Sequence, residues 1–439
     1  MNRREFLGML ATASSAFVLT RSLPLHASTW LFQQDPNASG IDHIVLVMME
    51  NRSFDHLMGW LPGANGRQAG LEFADPSGAL HPTHKLSPDF TGCPLLAPFR
   101  DPDHSYAGGR VQYDNGLMDG FLLDANNDIF SIGYYVEADQ PFYSALARNF
   151  TTLDNYFCSI LGPTFPNRIF QHAAQTDRLS DSVTPTSLPT IWDKLKAAGI
   201  PAKYYFGNVP FLALWGTKYL DISAPYAEFL LDAASGNLPA VSFVDPRLTI
   251  TDDGTGNDDH PHADIRAGDA FLAQAFHAVA SGPDWANTVF IVNFDEWGGF
   301  FDHVPPPRAA APNNVDTDLV NGKALLGFRV PTVVASPFSV GNPAQPVVDH
   351  LVYDHTSVLK LIEWRFGLTP LTARDASTDV NNLLSALNLA SPVTAVPSLP
   401  QPLPPVPVPC PLGSAQTLQD TLGLSLLQQQ AIAQGWPVP

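Results

Sequence analysis

Basic residues are scarce in this chain of 439 residues: 23 Lys and Arg stand against 42 Asp and Glu, a formal charge of -19. That balance repels phosphate backbones and excludes nonspecific nucleic-acid binding, so an anionic ligand must be drawn in locally, by a metal ion or a few placed bases. Cysteine is scarcer still. Cys93, Cys158 and Cys410 are too few for a disulfide framework, form no CxxC zinc pair, and by their odd number leave at least one thiol unpaired within the chain. Also missing are a GxSxG elbow, an HExxH helix, a Walker loop and a GxGxxG turn, so serine hydrolases, zincins, P-loop NTPases and dinucleotide enzymes lack their motifs here.

What is present is an apolar fraction of 45%, enough for a real core. Arg3 and Arg4 precede an apolar run too short for a bilayer span, and small residues follow up to Ala27. Residues 1–27 therefore read as a cleaved signal peptide of the Tat type, which implies the Tat export machinery as a partner and a periplasmic, cell-surface or secreted location. Short apolar runs at 44–49, 202–206, 240–244, 288–294 and 332–336 predict buried strands, and 190–199 and 269–282 predict helices between them. Alternation of this kind indicates an α/β fold with a largely parallel central sheet. The stretch 62–140 predicts loops and short helices inserted over the sheet's active edge, 36–380 the catalytic unit, and 391–439 a proline-rich linker followed by a short helix.

Ligands in open α/β sheets gather beyond the carboxyl ends of strands, so the residues after each apolar run are the ones to inspect. Glu50 and Asn51 follow the first run, and Asp295 and Glu296 follow the fourth. Either pair alone could cap the turn after a strand. Two adjacent pairs of oxygen donors, with Gly298 and Gly299 close behind, point instead to a hard divalent cation. In "GPTFPNR", residues 162–168, Thr164 stands where a helix N-cap is expected. The same helix end favours an anion, and a metal-ligated hydroxyl there could attack phosphorus, so cap and nucleophile are both open. His104, His260, His262 and His303 fall in polar loops, where imidazoles could bond phosphoryl oxygens or protonate a leaving alcohol. His355 precedes an expected N-cap at Thr356 or Ser357 and reads as structural. The acidic loop 251–260 lacks the spacing of an EF-hand.

"IDHIVLVMMENRSFDHLMG", "GPTFPNR" and "FDEWGGFFDHVPPP", in that order, resemble the bacterial phosphoesterase family of secreted phospholipases C and an acid phosphatase, over roughly residues 40 to 370. The resemblance implies an alkaline-phosphatase-like three-layer sandwich. It implies a phosphorylated Thr164 and a metal held by Glu50, Asn51, Thr164, Asp295 and Glu296, with His104, His260 and His303 lining the phosphate pocket. Oxygen ligands suit Ca, Mg or Mn, with Zn also open. The expected substrate is a phospholipid such as phosphatidylcholine, cleaved to diacylglycerol and phosphocholine, with peripheral membrane contact. The alternatives are an acid phosphatase or small-molecule phosphodiesterase and, from another class, a noncatalytic surface binding protein. The β-rich C-terminal domains of the longer phospholipases have no counterpart in the proline-rich tail.

Overall fold

The structure is a computed structural model describing residues 35–93, 101–124, 127–411 and 423–439; the leader expected at 1–27 lies outside them. Eight strands form the main sheet: β1 (His43–Met49), β2 (Thr151–Leu153), β3 (Ala202–Phe206), β4 (Ser223–Pro225), β5 (Val241–Val244), β6 (Thr288–Phe294), β7 (Val333–Ala335) and β8 (Val347–Asp349). Their spatial order is β8-β2-β7-β6-β1-β5-β3-β4. Only β7 runs against its neighbours. β1 is buried from Ile44 to Met49 and β6 along its whole length, and unbroken apolar runs are what strands covered on both faces require.

The helices that matter here are α1 (Tyr106–Tyr113), α2 (Pro141–Asn149), α3 (Thr164–Ala173), α4 (Ile191–Ala197), α5 (Tyr226–Ser235), α6 (Ile265–Ala280), α7 (His355–Phe366) and α8 (Leu424–Ala433). α6 packs on α2 and α5, while α3 packs on α4 and α7. Phe290 of β6 meets Phe276 of α6, whereas Asn293, of opposite parity along the strand, is bonded to Gln171 of α3. Alternation of side chains therefore places these helix groups on opposite faces of the sheet, the three-layer α/β sandwich that the sequence predicts.

Three edge-side strands, β2, β4 and β8, are absent from the sequence expectations. Each has three residues, too few for an apolar run to show. The N-cap of α7 lies two residues before Thr356, the earlier of the two expected positions. Asp354 is its N-cap, accepting from the Thr356 amide, and His355 is already helical.

The proline-rich segment is extended and lies against the body. Cys410 is disulfide-bonded to Cys93, its amide donates to the Asp252 carbonyl, and a Cβ at Gly254 would meet the Val408 carbonyl oxygen at 2.5 Å. Beyond it, α8 buries Leu424 and Leu427, and Trp436 reaches Phe206 of β3. Cys158 is the free thiol, buried and donating to the Phe328 carbonyl. Among the described residues no helix is long and apolar enough to cross a membrane.

Glu363, on α7, is buried and its Oε1 has no hydrogen-bond partner among the described residues. Burial first, and then the neighbouring Asp375, push its carboxyl up to about 9. A carboxyl raised in this way takes up a proton on folding, so its contribution is favourable at low pH and is lost as pH rises toward 9. Glu363→Gln is therefore expected to raise the melting temperature at about pH 8, with the gain shrinking toward about pH 4. Calorimetry across pH checks this; a gain independent of pH would contradict it.

Candidate active site

Strand register assembles the site. Met49 of β1 pairs with Phe294 of β6, and Val47 pairs with Val244 of β5. Glu50 and Asn51, Asp295 and Glu296, and Asp245 thus leave the sheet along one carboxyl edge. Asn51 turns with a left-handed backbone, φ 55°. Its amide donates to Asp295 Oδ1 at 3.1 Å, and the same oxygen accepts the Glu296 amide at 2.7 Å. Gly298 also has positive φ, and a Cβ there would lie 2.1 Å from the Asn51 carbonyl oxygen. Only glycine lets the two strand-end turns approach so closely.

Thr164 is completely buried at the start of α3. The expectation that it caps the helix is corrected: Pro163 occupies the cap position and Thr164 is the first helical residue. Its Oγ1 is turned toward Glu50 Oε2 and Asn51 Oδ1, 3.3 Å from each. The helix is satisfied by another group, because the Phe165 amide donates to Asp181 Oδ1 at 2.8 Å. Asn167 fixes the approach to the helix, accepting from the Ile160 amide and donating to the Gly162 carbonyl at 2.7 Å.

Arg168, the last residue of "GPTFPNR", was missed by the sequence reading. It lies one helical turn after Thr164, and residues four apart share a helix face. Its buried guanidinium donates from Nε to Glu50 Oε1 at 2.7 Å and Asp295 Oδ2 at 3.2 Å, and from Nη1 to Asp245 Oδ1 at 2.8 Å. The available signal was that spacing, since an arginine one turn from a candidate nucleophile on an apolar helix has no reason to be buried unless acids await it. Even with Arg168 present, burial lifts the Glu50 carboxyl well above the ordinary range and raises that of Asp295.

His104 joins this group. Its Nε2 lies 3.4 Å from Asn51 Nδ2 and 3.7 Å from Glu296 Oε1, and its Nδ1 is bonded to the Pro102 carbonyl. Burial works against a charged ring, but Glu296, Asp101 and Asp181 outweigh it and raise the imidazole to about 10. His260 stands edge-on to His104, ring centres 6.1 Å apart. Asp181, half-buried, is lifted by desolvation to about 6, against the Phe165 amide and His104.

His303 and His355 go elsewhere. His303 bonds Asp55 through Nδ1 and Asn65 through Nε2, beside an Asp55–Arg329–Asp302 network. His355 bonds the Asp295 carbonyl through Nε2 at 2.7 Å, and burial lowers its pKa to about 4, so it holds the strand end as a neutral ring. His262 bonds through its backbone to Thr91 and stacks on Phe130. The acidic loop serves to deliver His260, with Asp258 bonded to Thr249 and its carbonyl accepting the Glu50 amide.

The donor set fits a divalent cation. Glu50, Asp245, Asp295 and Glu296 surround two bases, Arg168 and His104, so acids outnumber bases in this buried space. Glu296 Oε1 has no hydrogen-bond partner among the described residues, and burial lifts that carboxyl well above its ordinary range. Asn51, from the turn after β1, and Thr164, from the start of α3, add two more oxygens, so the residues in hand suit a hard ion.

Comparison with known proteins agrees with this chemistry. Residues 41–369 match the model of the Phosphoesterase family. Phospholipase C B of Mycobacterium tuberculosis is 32% identical over 92% of this chain and 91% of its own length. Non-specific phospholipase C1 of Arabidopsis thaliana is 32% identical over 76% of this chain and 69% of that protein. The non-hemolytic phospholipase C of Pseudomonas aeruginosa is 29% identical over 89% of this chain and 64% of that protein. Among solved structures, an alkaline phosphatase superfamily protein from Vibrio parahaemolyticus aligns over 76% of this chain and 69% of its own, at 11% identity and TM-score 0.37, too distant to carry residue roles across. The chain belongs to the phosphoesterase family and is a hydrolase acting on phosphoric ester bonds.

Proposed function

We propose that this protein is an exported phosphodiesterase of phospholipase C type, with Thr164 as nucleophile and phosphatidylcholine among its substrates. The observation that carries the reading is a buried hydroxyl at the start of a helix, 3.3 Å from both Glu50 and Asn51 and one turn ahead of Arg168. The names of relatives 32% identical over nearly the whole chain support the choice of a phospholipid. Export rests on the twin-arginine leader of the sequence.

A divalent ion bound by Glu50, Asn51, Thr164, Asp295 and Glu296 would supply charge stabilisation and lower the pKa of the hydroxyl. The chain's own groups do the rest. Arg168 and the Asp295 carbonyl bond to His355 hold the carboxylates in place, so Thr164 Oγ1 is presented in one orientation toward phosphorus. The hydroxyl has two acceptors at 3.3 Å, Glu50 Oε2 and Asn51 Oδ1, of which Glu50 is the one able to take its proton. Attack forms a bond from Thr164 Oγ1 to phosphorus and breaks the bond from phosphorus to the glycerol oxygen, which takes up the proton given up by the hydroxyl and leaves as diacylglycerol; water then cleaves the phosphocholine ester of Thr164, returning a proton to Oγ1 and freeing phosphocholine. Thr164, Glu50, Asn51, Asp295 and Glu296 are 0% exposed, whereas His104 and His260 keep 7% and 4%, so the phosphoryl group enters past the histidines.

Thr164→Ala is expected to lose activity on phosphatidylcholine and on p-nitrophenylphosphorylcholine by at least about a thousandfold, and Thr164→Ser to keep most of it. Full activity in the alanine variant would end the covalent reading, and faster turnover of p-nitrophenyl phosphate than of the diester would favour the phosphatase alternative. Prolonged dialysis against a chelator is expected to abolish turnover, with return on adding one divalent ion; persistent activity in demonstrably metal-free protein would contradict the metal. Arg168→Met should destabilise the fold by about 3–5 kcal/mol by leaving buried acids uncompensated, measured by denaturant unfolding; an unchanged midpoint would show that Arg168 is not their counter-charge.

A further inference from the structure

Two of the three cysteines form one bridge, and it joins segments far apart in the chain: Cys93 and Cys410 are 317 residues apart in sequence. Cys410 ends the proline-rich strap. Cys93 ends the loop 89–93, which is folded on itself by Asp89 Oδ1 accepting the Thr91 and Gly92 amides. The segment 251–262, which carries His260, is bonded to both. The Asp252 carbonyl accepts the Cys410 amide at 2.9 Å, and the Thr91 carbonyl accepts the His262 amide at 2.9 Å. Asp252 and His262 themselves face each other at 3.3 Å, and the Val408 backbone lies against Gly254.

This end of the strap buries little of its own. Residues 401–409 are exposed or half-exposed, Leu403 at 88% and Val406 at 83%, and they border a groove of about 500 Å3 beside Phe271, Gln274 and His277 of α6. Upstream the strap is fastened to the body, by Trp285 Nε1 on the Thr394 carbonyl and by His277 Nε2 on that of Pro400. A stretch that removes so little apolar surface from water does not offset the entropy of ordering it. The covalent link, closing so long a loop, supplies the restraint that packing leaves out.

We propose that the Cys93–Cys410 bridge is a redox latch: closed, it fixes the segment 251–262 and holds His260 beside His104; reduced, it frees the strap end and that segment together, and turnover falls. The latch is read from these contacts, and its effect on turnover rests on the catalytic site proposed above. Closing it takes two protons and two electrons from the two thiols, and a disulfide-bearing oxidant receives them and leaves as a dithiol. In opening, a thiolate of a dithiol reductant attacks the Sγ of half-buried Cys93; Cys410, 3% exposed, leaves as a thiolate and takes up a proton, and the reductant's second thiol then releases Cys93. A reducing cytosol holds the latch open and an oxidising compartment closes it. A hydrolase of phospholipids is thereby restrained inside the cell that makes it and released once exported.

The test uses the full-length protein purified without reductant. Thiol titration in denaturant should find Cys158 alone before treatment with a water-soluble phosphine and all three cysteines after it; three thiols at the outset would overturn the bridge. Hydrogen exchange in peptides covering 251–262 and 401–410 should become at least about tenfold faster on reduction, with β1 and β6 unchanged. Equal exchange in the two states would overturn the latch, and this comparison needs no variant. The kcat/KM for p-nitrophenylphosphorylcholine should fall by at least about tenfold on reduction and return with oxidised glutathione, because a displaced active-site group costs rate steeply. Cys410→Ser should start at the reduced level and not respond to the phosphine; a further fall there would assign the loss to the reagent, and unchanged kcat/KM beside faster exchange would overturn the control of turnover. If the oxidised chain turns over neither diester nor monoester, the phosphodiesterase reading fails while the exchange comparison still decides the latch.

Discussion

One guanidinium among buried acids is the constraint on which the rest depends. Arg168 has to meet Glu50, Asp245 and Asp295 at once, and these come from the ends of three adjacent strands. That meeting requires β1, β5 and β6 to be parallel and in register, and it requires α3 to lie across their carboxyl ends. Burying four carboxylates against two cations is unfavourable in isolation. The fold tolerates it because both faces of the sheet are covered by apolar packing, with Phe276 on one side of β6 and the α3–α7 pair on the other.

Much of this was legible because it follows from local rules. The long central strands announce themselves by apolar runs, Ile44 to Met49 and Val289 to Val292, and a strand end is where a parallel sheet collects its ligands, so Glu50, Asn51, Asp295 and Glu296 could be picked out from position alone. Gly298 could be flagged as a close-approach residue, though what it approaches, the Asn51 carbonyl, needs the fold. The short strands at 151–153, 223–225 and 347–349 carry no pattern of their own; they exist because a neighbour supplies hydrogen bonds. The membership of His104 and His260 in one cluster, and the departure of His303 to Asp55, depend on contacts across long stretches of sequence that no spacing encodes.

Arg168 and Asp245 illustrate a different kind of blindness. A buried arginine is invisible to hydropathy, which assigns it to the surface, and an aspartate after a four-residue strand looks like a turn former. Their pairing is a tertiary fact. Thr164 was visible for a partly mistaken reason: a threonine before a helical pattern suggests a cap, yet the capping bond is made by Asp181 from the following loop. The hydroxyl is thereby left free to turn inward, toward Glu50 and Asn51.

Asp181 also settles the state of the helix end on which Thr164 stands. Its carboxylate already sits on the amide of Phe165, the residue after Thr164, so that end of α3 carries its own anion. The Phe165 amide therefore keeps its acceptor whether or not a ligand fills the pocket, and is not a buried donor waiting for one.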